Sequence, residues 1–289
     1  MNLRGAYRMV AANGCTFEVF EAGSGDRLAL LLHGFPEHAI AWHNQIDTLV
    51  DLGYRVWVPN QRGYGRTSRP RDVAAYRISH LIADVAALID ASQARTVALV
   101  GHDWGAGVAW FFAMRRLRPI ERLVILNVPH PARFLEVLGR SFRQKLRSWY
   151  ILAIQIPGLM ERVLGSGNGR AILRLIKNGA CDPTCFSGEE LETYRAQAAE
   201  PGALRAMLAW YRAAARGGMA EQIALGWPMI DVPTLVIWGE ADVALGKETT
   251  YGTESFVRDL RIVYLPGVSH WVAQEAPQRV NALLAEFLA

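Results

Sequence analysis

The amino-acid sequence predicts an α/β protein: a mostly parallel sheet with helices on both faces, interrupted by one long helical insertion. Three observations carry this expectation. Short apolar runs alternate with helical stretches through the first half of the chain and return near its end. A G-x-D-x-G turn joins one of those runs directly to a helix. Between Pro129 and about Pro228 the chain is rich in Arg, Ala and Leu and contains no convincing strand signal.

The elements follow in order. Tyr7 to Ala12 and Phe17 to Glu21 alternate around Asn13-Gly14, a pair suited to a hairpin turn, and predict an opening hairpin. Leu28 to Leu32 is a continuous apolar run, as expected of a strand buried on both faces. Arg55 to Pro59 predicts another strand, followed by the Gly-rich turn NQRGYGRTSRP. From Ser79 to Ala91 a helix is expected, because Leu81, Val85 and Leu88 fall on one face at its period. Thr96 to Val100 and Leu123 to Val128 read as further central strands, and Thr234 to Trp238 and Ile262 to Leu265 as the last two. Strands separated by helices imply right-handed crossovers and parallel pairing. The expected organisation is a core of residues 1–129 and 229–289 around a helical cap, 130–228.

With 289 residues, 51% of them apolar, the chain can bury a large core. Its net charge of +4 rests almost wholly on arginine, scattered over amphipathic stretches such as Arg140, Arg143 and Arg147. No basic block points to nucleic acid, and these arginines are expected on solvated helix faces. Cys15, Cys181 and Cys185 make neither a disulfide framework nor a zinc site. The start lacks a secretory pattern, and the best apolar run, from Tyr150, is broken by Gln155 and Pro157. A cytoplasmic protein without membrane insertion is expected.

The chemistry centres on Gly101-His102-Asp103-Trp104-Gly105, between the strand TVALV and a helical stretch. Glycines on either side permit a strained turn that leaves the central side chain exposed. That central residue is usually serine; here it is aspartate. A carboxylate is already ionised at neutral pH and can displace at an sp³ carbon, leaving an ester for water to cleave. The competing reading makes Asp103 only an N-cap of the helix. His33-Gly34-Phe35-Pro36-Glu37 closes the earlier strand and can aim a backbone N–H at the elbow. With the N–H of Trp104, that of Phe35 would form an oxyanion site; the side chain of His33 is read as structural.

Ser269-His270-Trp271 follows the last strand, and Gly239-Glu240-Ala241-Asp242 follows TLVIW. His270 is the expected general base and Asp242 the acid that orients it, with Glu240 a solvated turn residue. The order nucleophile, acid, histidine is that of the α/β-hydrolase fold. A second position for the acid lies after LVILNV, but Asn127 stands there and carries no charge.

These motifs, HGFPE, GHDWG, GEAD and SHW, resemble the epoxide hydrolase branch of the α/β-hydrolase superfamily from about Leu28 to Trp271. Within the insertion, Ser148-Trp149-Tyr150 with Gln155 and Pro157 resembles the family's first tyrosine motif, and Trp210-Tyr211-Arg212 its second. The resemblance implies that Tyr150 and Tyr211 bind and protonate the epoxide oxygen as Asp103 opens the ring. An acid is needed there because the leaving alkoxide is strongly basic. No cofactor or metal is implied; the partners are an epoxide and water. Trp42 and Trp271 are expected to line the site. One departure is Asn60, where relatives commonly carry aspartate, which bears on local bonding in that turn.

Haloalkane dehalogenases share the fold, the aspartate and the histidine. Glu37 after HGFP argues against one, as a carboxylate there would repel halide, and the two tyrosines favour an oxygen leaving group. Trp104 and Gly107 stand where fluoroacetate dehalogenases carry arginines. A hydrolase-fold binding protein would be expected to have lost a catalytic group. A metal site on His33, His38 and His43 is disfavoured by their five-residue spacing.

Overall fold

A computed structural model describes residues 4–289. Its eight strands are β1 (Gly5–Ala12), β2 (Cys15–Ala22), β3 (Arg27–Leu32), β4 (Arg55–Pro59), β5 (Thr96–His102), β6 (Arg122–Leu126), β7 (Thr234–Gly239) and β8 (Leu260–Leu265). They form one sheet in the order β1-β2-β4-β3-β5-β6-β7-β8. The β1–β2 hairpin turns at Asn13-Gly14, both at positive φ, and β2 meets β4 antiparallel; every later pairing is parallel. The expected strands are all present. β6 stops two residues earlier than the apolar run suggests, because Asn127 takes a left-handed conformation (φ 47°) that ends the ladder.

Alternation along the strands builds two cores. Leu28, Leu30 and Leu32 of β3 face one side, packed with the helices Ile78–Ser92 and Trp104–Arg115 and with much of the insertion. Ala29 and Leu31 face the other, under the helices His43–Asp51 and Pro277–Leu288. The chain between β6 and β7 is helical, from Pro131–Arg140 through Met219–Ala224, with no strand. It is laid over the sheet's carboxyl edge by buried polar ties: the Trp210 indole N–H donates to Arg62 O at 3.0 Å, and Gln197 Nε2 to Glu37 O at 2.8 Å. Buried groups of this kind must be paired, so these bonds fix where the insertion sits.

Candidate active site

Asp103 sits at the end of β5 with φ 48° and ψ −123°, a conformation sterically costly for a residue with a Cβ. The turn is possible because its flanks are glycine. A Cβ on Gly105 would lie 2.2 Å from Leu32 O, and one on Gly101 would lie 2.6 Å from Gly105 O. The carboxylate does not cap the helix that follows. Its Oδ1 instead accepts from the backbone N–H of Phe35 at 2.6 Å, across the gap from the end of β3. The N-cap reading of Asp103 is thereby set aside. Trp104 begins the helix, so its N–H belongs to the unpaired donors of a helix N-terminus beside the same carboxylate.

His270 Nε2 lies 3.6 Å from Asp103 Oδ2, and its Nδ1 lies 2.7 Å from Asp242 Oδ2. Asp242 is fully enclosed by donors: Ala244 N–H at 2.8 Å, Leu245 N–H at 2.9 Å and Asn127 Nδ2 at 2.8 Å. Burial alone would raise both carboxyls, but the charge and hydrogen bonding of His270 hold them below the usual range. Burial would lower His270; the two anions outweigh it and raise the imidazole well above its ordinary value. Glu240 lines neither of the cavities at this site and is paired with Lys247.

Tyr150 (helix Trp149–Ile154) and Tyr211 (helix Ala203–Ala213) stand over Asp103 with ring centroids 6.1 Å apart. Tyr211 packs edge-on against Phe35 and Trp104, at 5.6 and 4.9 Å. Burial, with the Asp103 charge next, raises both phenols, so each keeps its proton at neutral pH. Arg212 and Gln155 join the two helices. The buried Arg212 guanidinium donates to Ile154 O at 2.9 Å and pairs with Glu161, and Gln155 Nε2 reaches Tyr211 O at 3.4 Å.

Two cavities meet at this point. One, of about 330 Å³, is lined by Phe35, Asp103, Tyr150, Tyr211, His270 and Trp271 among others. The second, of about 270 Å³, shares Asp103, Tyr150 and Tyr211 and runs between Trp104, Phe134, Leu135 and Leu138. Trp271 lines the first of these cavities, its indole N–H anchored on Ile176 O at 3.1 Å. Trp42 does not. It is 1% exposed in the core on the other face of the sheet, because the turn Ala39–Trp42 leads into the helix His43–Asp51 on that side.

Glu37 also departs from its expected place. Its carboxylate points under the elbow, accepting from Gly34 N–H at 2.7 Å and facing His102 Nδ1 at 2.8 Å, and lines neither cavity. A halide bound in either cavity would not touch this carboxylate, so Glu37 does not separate a haloalkane from an epoxide as substrate. His102 Nε2 meets His270 O at 2.9 Å, so Glu37 and His102 brace the loop that carries the histidine. Sequence reasoning missed this pair; the one signal was His102 inside the elbow motif itself. Asn60 accepts from the Ala39 N–H at 2.8 Å and donates to Glu18 at 2.8 Å, so it ties its turn to β2 and to the segment after β3. His33 is likewise structural, its ring bonding Gly34 O at 2.9 Å and Gln61 N–H at 3.1 Å.

The α/β hydrolase fold family matches residues 30–154. An AB hydrolase superfamily protein of Bacillus subtilis, YfhM, is 38% identical over 284 residues, covering 97% of this chain and 97% of that one. Epoxide hydrolase A of Mycobacterium tuberculosis is 35% identical over 312 residues, covering 97% and 96%. The crystal structure of epoxide hydrolase A from Mycobacterium thermoresistibile superposes with a TM-score of 0.84 at 32% identity, over 98% of each chain. The elbow, the histidine with its acid and this likeness along nearly the whole chain lead to one conclusion: the protein belongs to the epoxide hydrolase branch of the α/β-hydrolase superfamily.

Proposed function

We propose that this chain hydrolyses epoxides to vicinal diols through an ester on Asp103, with residues 130–228 as the cap over a core of 1–129 and 229–289. The observation that carries the reading is the pair of protonated phenols, Tyr150 and Tyr211, lining both cavities together with the Asp103 carboxylate. A nucleophile on one side and two acids on the other match a reaction in which a C–O bond breaks as a C–O bond forms.

Asp103 Oδ1 is held by the Phe35 N–H, so Oδ2 attacks a ring carbon. The ring C–O bond breaks, its electron pair stays on oxygen, and a tyrosine proton completes the hydroxyl. The product is a hydroxyalkyl ester with Oδ1 as its carbonyl oxygen. Esterification removes one of the two anions that raise His270, so the imidazolium releases its proton, which returns to the tyrosinate left by ring opening, and the neutral ring becomes a base. Kept in orientation by Asp242, it takes a proton from water. The resulting hydroxide adds to the ester carbonyl, and the charge on Oδ1 is held by the N–H groups of Phe35 and Trp104. Collapse breaks the ester C–O bond, the departing alkoxide takes the proton of the new carboxylic acid, and the diol leaves with Asp103 ionised and His270 protonated as at the start. No step calls for a metal or organic cofactor.

Each cavity exceeds the ~150 Å³ that encloses a benzene ring, and apolar side chains dominate both. The substrate class is therefore an epoxide with apolar, including aryl, substituents. The test is diol formation from a panel of aryl and alkyl epoxides, with Asp103→Ala as control and haloalkanes run in parallel. Diol from the native chain and none from the variant is the expected result. Halide release without diol would overturn the reading in favour of a dehalogenase and leave the tyrosines as packing residues.

A further inference from the structure

The helical insertion carries an apolar surface that its own fold leaves uncovered. Phe142, Leu146, Trp149, Leu152, Ile156 and Val163 are each 49–75% exposed. They recur at three- to seven-residue intervals along the helices Phe142–Arg147, Trp149–Ile154 and Leu159–Gly165, with Ile156 in the turn between the last two. Single apolar residues on a surface are ordinary, whereas a contiguous series marks a contact face.

The unpaired charges within this series have one sign. Arg143, Lys145, Arg147 and Arg162 have no ion pair among the described residues. The acid within the stretch, Glu161, is engaged by Arg212, and Glu136 in the preceding helix by Arg133 and Arg140. Trp149 and Arg147 also line the 330 Å³ cavity that contains Asp103, so its mouth opens within this face. A second copy related by a twofold axis would set these cations against themselves and cover the mouth. An anionic lipid surface meets both halves of the pattern. It receives the apolar side chains, and arginine and lysine reach its headgroups along their own aliphatic stems.

We propose that residues 142–163 dock this protein peripherally on an anionic membrane surface, with the mouth of the cavity turned toward the lipid. No helix among the described residues is long and apolar enough to cross a membrane. An apolar substrate dissolved in the lipid would then enter without crossing water. The docking does not depend on the reaction assigned to the site.

The experiment is flotation of the full chain with vesicles of phosphatidylcholine, alone or mixed with phosphatidylglycerol. The protein should float with the mixed vesicles only and be released by high salt, as surface charge is screened. Phe142→Asp with Leu152→Asp should cut the bound fraction about tenfold, and so should Arg143→Glu with Lys145→Glu. Neither pair touches Asp103, His270 or the tyrosines, so thermal melting and diol formation from a water-soluble epoxide should match the native chain. No association with mixed vesicles, or equal flotation with neutral ones, overturns the proposal. So does a native dimer in sedimentation that the Phe142, Leu152 variant splits.

Discussion

Asn127 Nδ2 donates to Asp242 Oδ2 at 2.8 Å, on the same carboxylate oxygen that faces His270 Nδ1 at 2.7 Å. The position after β6, where an acid could have stood, holds an amide that solvates the acid after β7. The other end of the amide accepts the Gly239 N–H at 2.6 Å, so one fully buried side chain ties β6 to the turn carrying Asp242.

Asn127→Ala should therefore cost about 2–4 kcal/mol, since it strands a buried N–H and strips a donor from a buried carboxylate. Urea unfolding measures this. A cost under about 0.5 kcal/mol, within the range of an ordinary surface change, would mean that the bonds to Gly239 and Asp242 are dispensable.

His270→Gln should open the ring and then stall. Intact-protein mass spectrometry should find the chain heavier by the mass of one substrate, with the addition lost in Asp103→Ala. A folded His270→Gln chain that turns over fully, or never gains mass, would rule out the ester.

The two half-reactions should separate by pH. Asp103 is held below the usual carboxylate range and stays ionised into the acid region, so ester formation should be nearly flat across neutral pH. Ester hydrolysis requires neutral His270 and should fall as pH drops. Single-turnover rates measured against pH test this; identical profiles for both steps would remove His270 from the second step alone.

Tyr150→Phe and Tyr211→Phe should each slow ring opening, with the double variant down by about 10²–10⁴, the usual worth of a positioned acid. Hydrolysis of an ester already formed should be little changed. Equal loss in both steps would indicate damaged packing around Phe35 and Trp104 in place of a lost proton donor.

Glu190 supplies a stability test. It is fully buried against Tyr194 and Gln274, and burial raises its carboxyl to about 7. With its folded pKa above its unfolded value, the native state binds the extra proton between those values, so stability falls as pH rises through that window. Glu190→Gln removes the ionisation. Its melting temperature should exceed the native one near pH 8, by the equivalent of about 1–3 kcal/mol, and the gain should vanish near pH 5. A gain independent of pH would assign the effect to packing.

The sequence by itself determined the strands, the order of the chemical motifs and the candidates Asp103, Asp242 and His270. Each depends on local pattern: apolar runs bounded by turn residues, glycines where a Cβ has no room, and the position of a polar residue after a strand. Tyr150 and Tyr211, named by resemblance, are brought to the same two cavities only by the insertion's packing. Tertiary structure alone decided where Trp42, Glu37 and Asn127 belong. Trp42 and Trp271 are both aromatic and buried, and only the side of the sheet taken by the helix His43–Asp51 separates core from site. Glu37 lies far along the chain from His102, and Asn127 far from Asp242, yet each pair is in hydrogen-bond contact. Burial and charge act through space, so the raised imidazole of His270 and the raised carboxyl of Glu190 exist only once distant segments close around them.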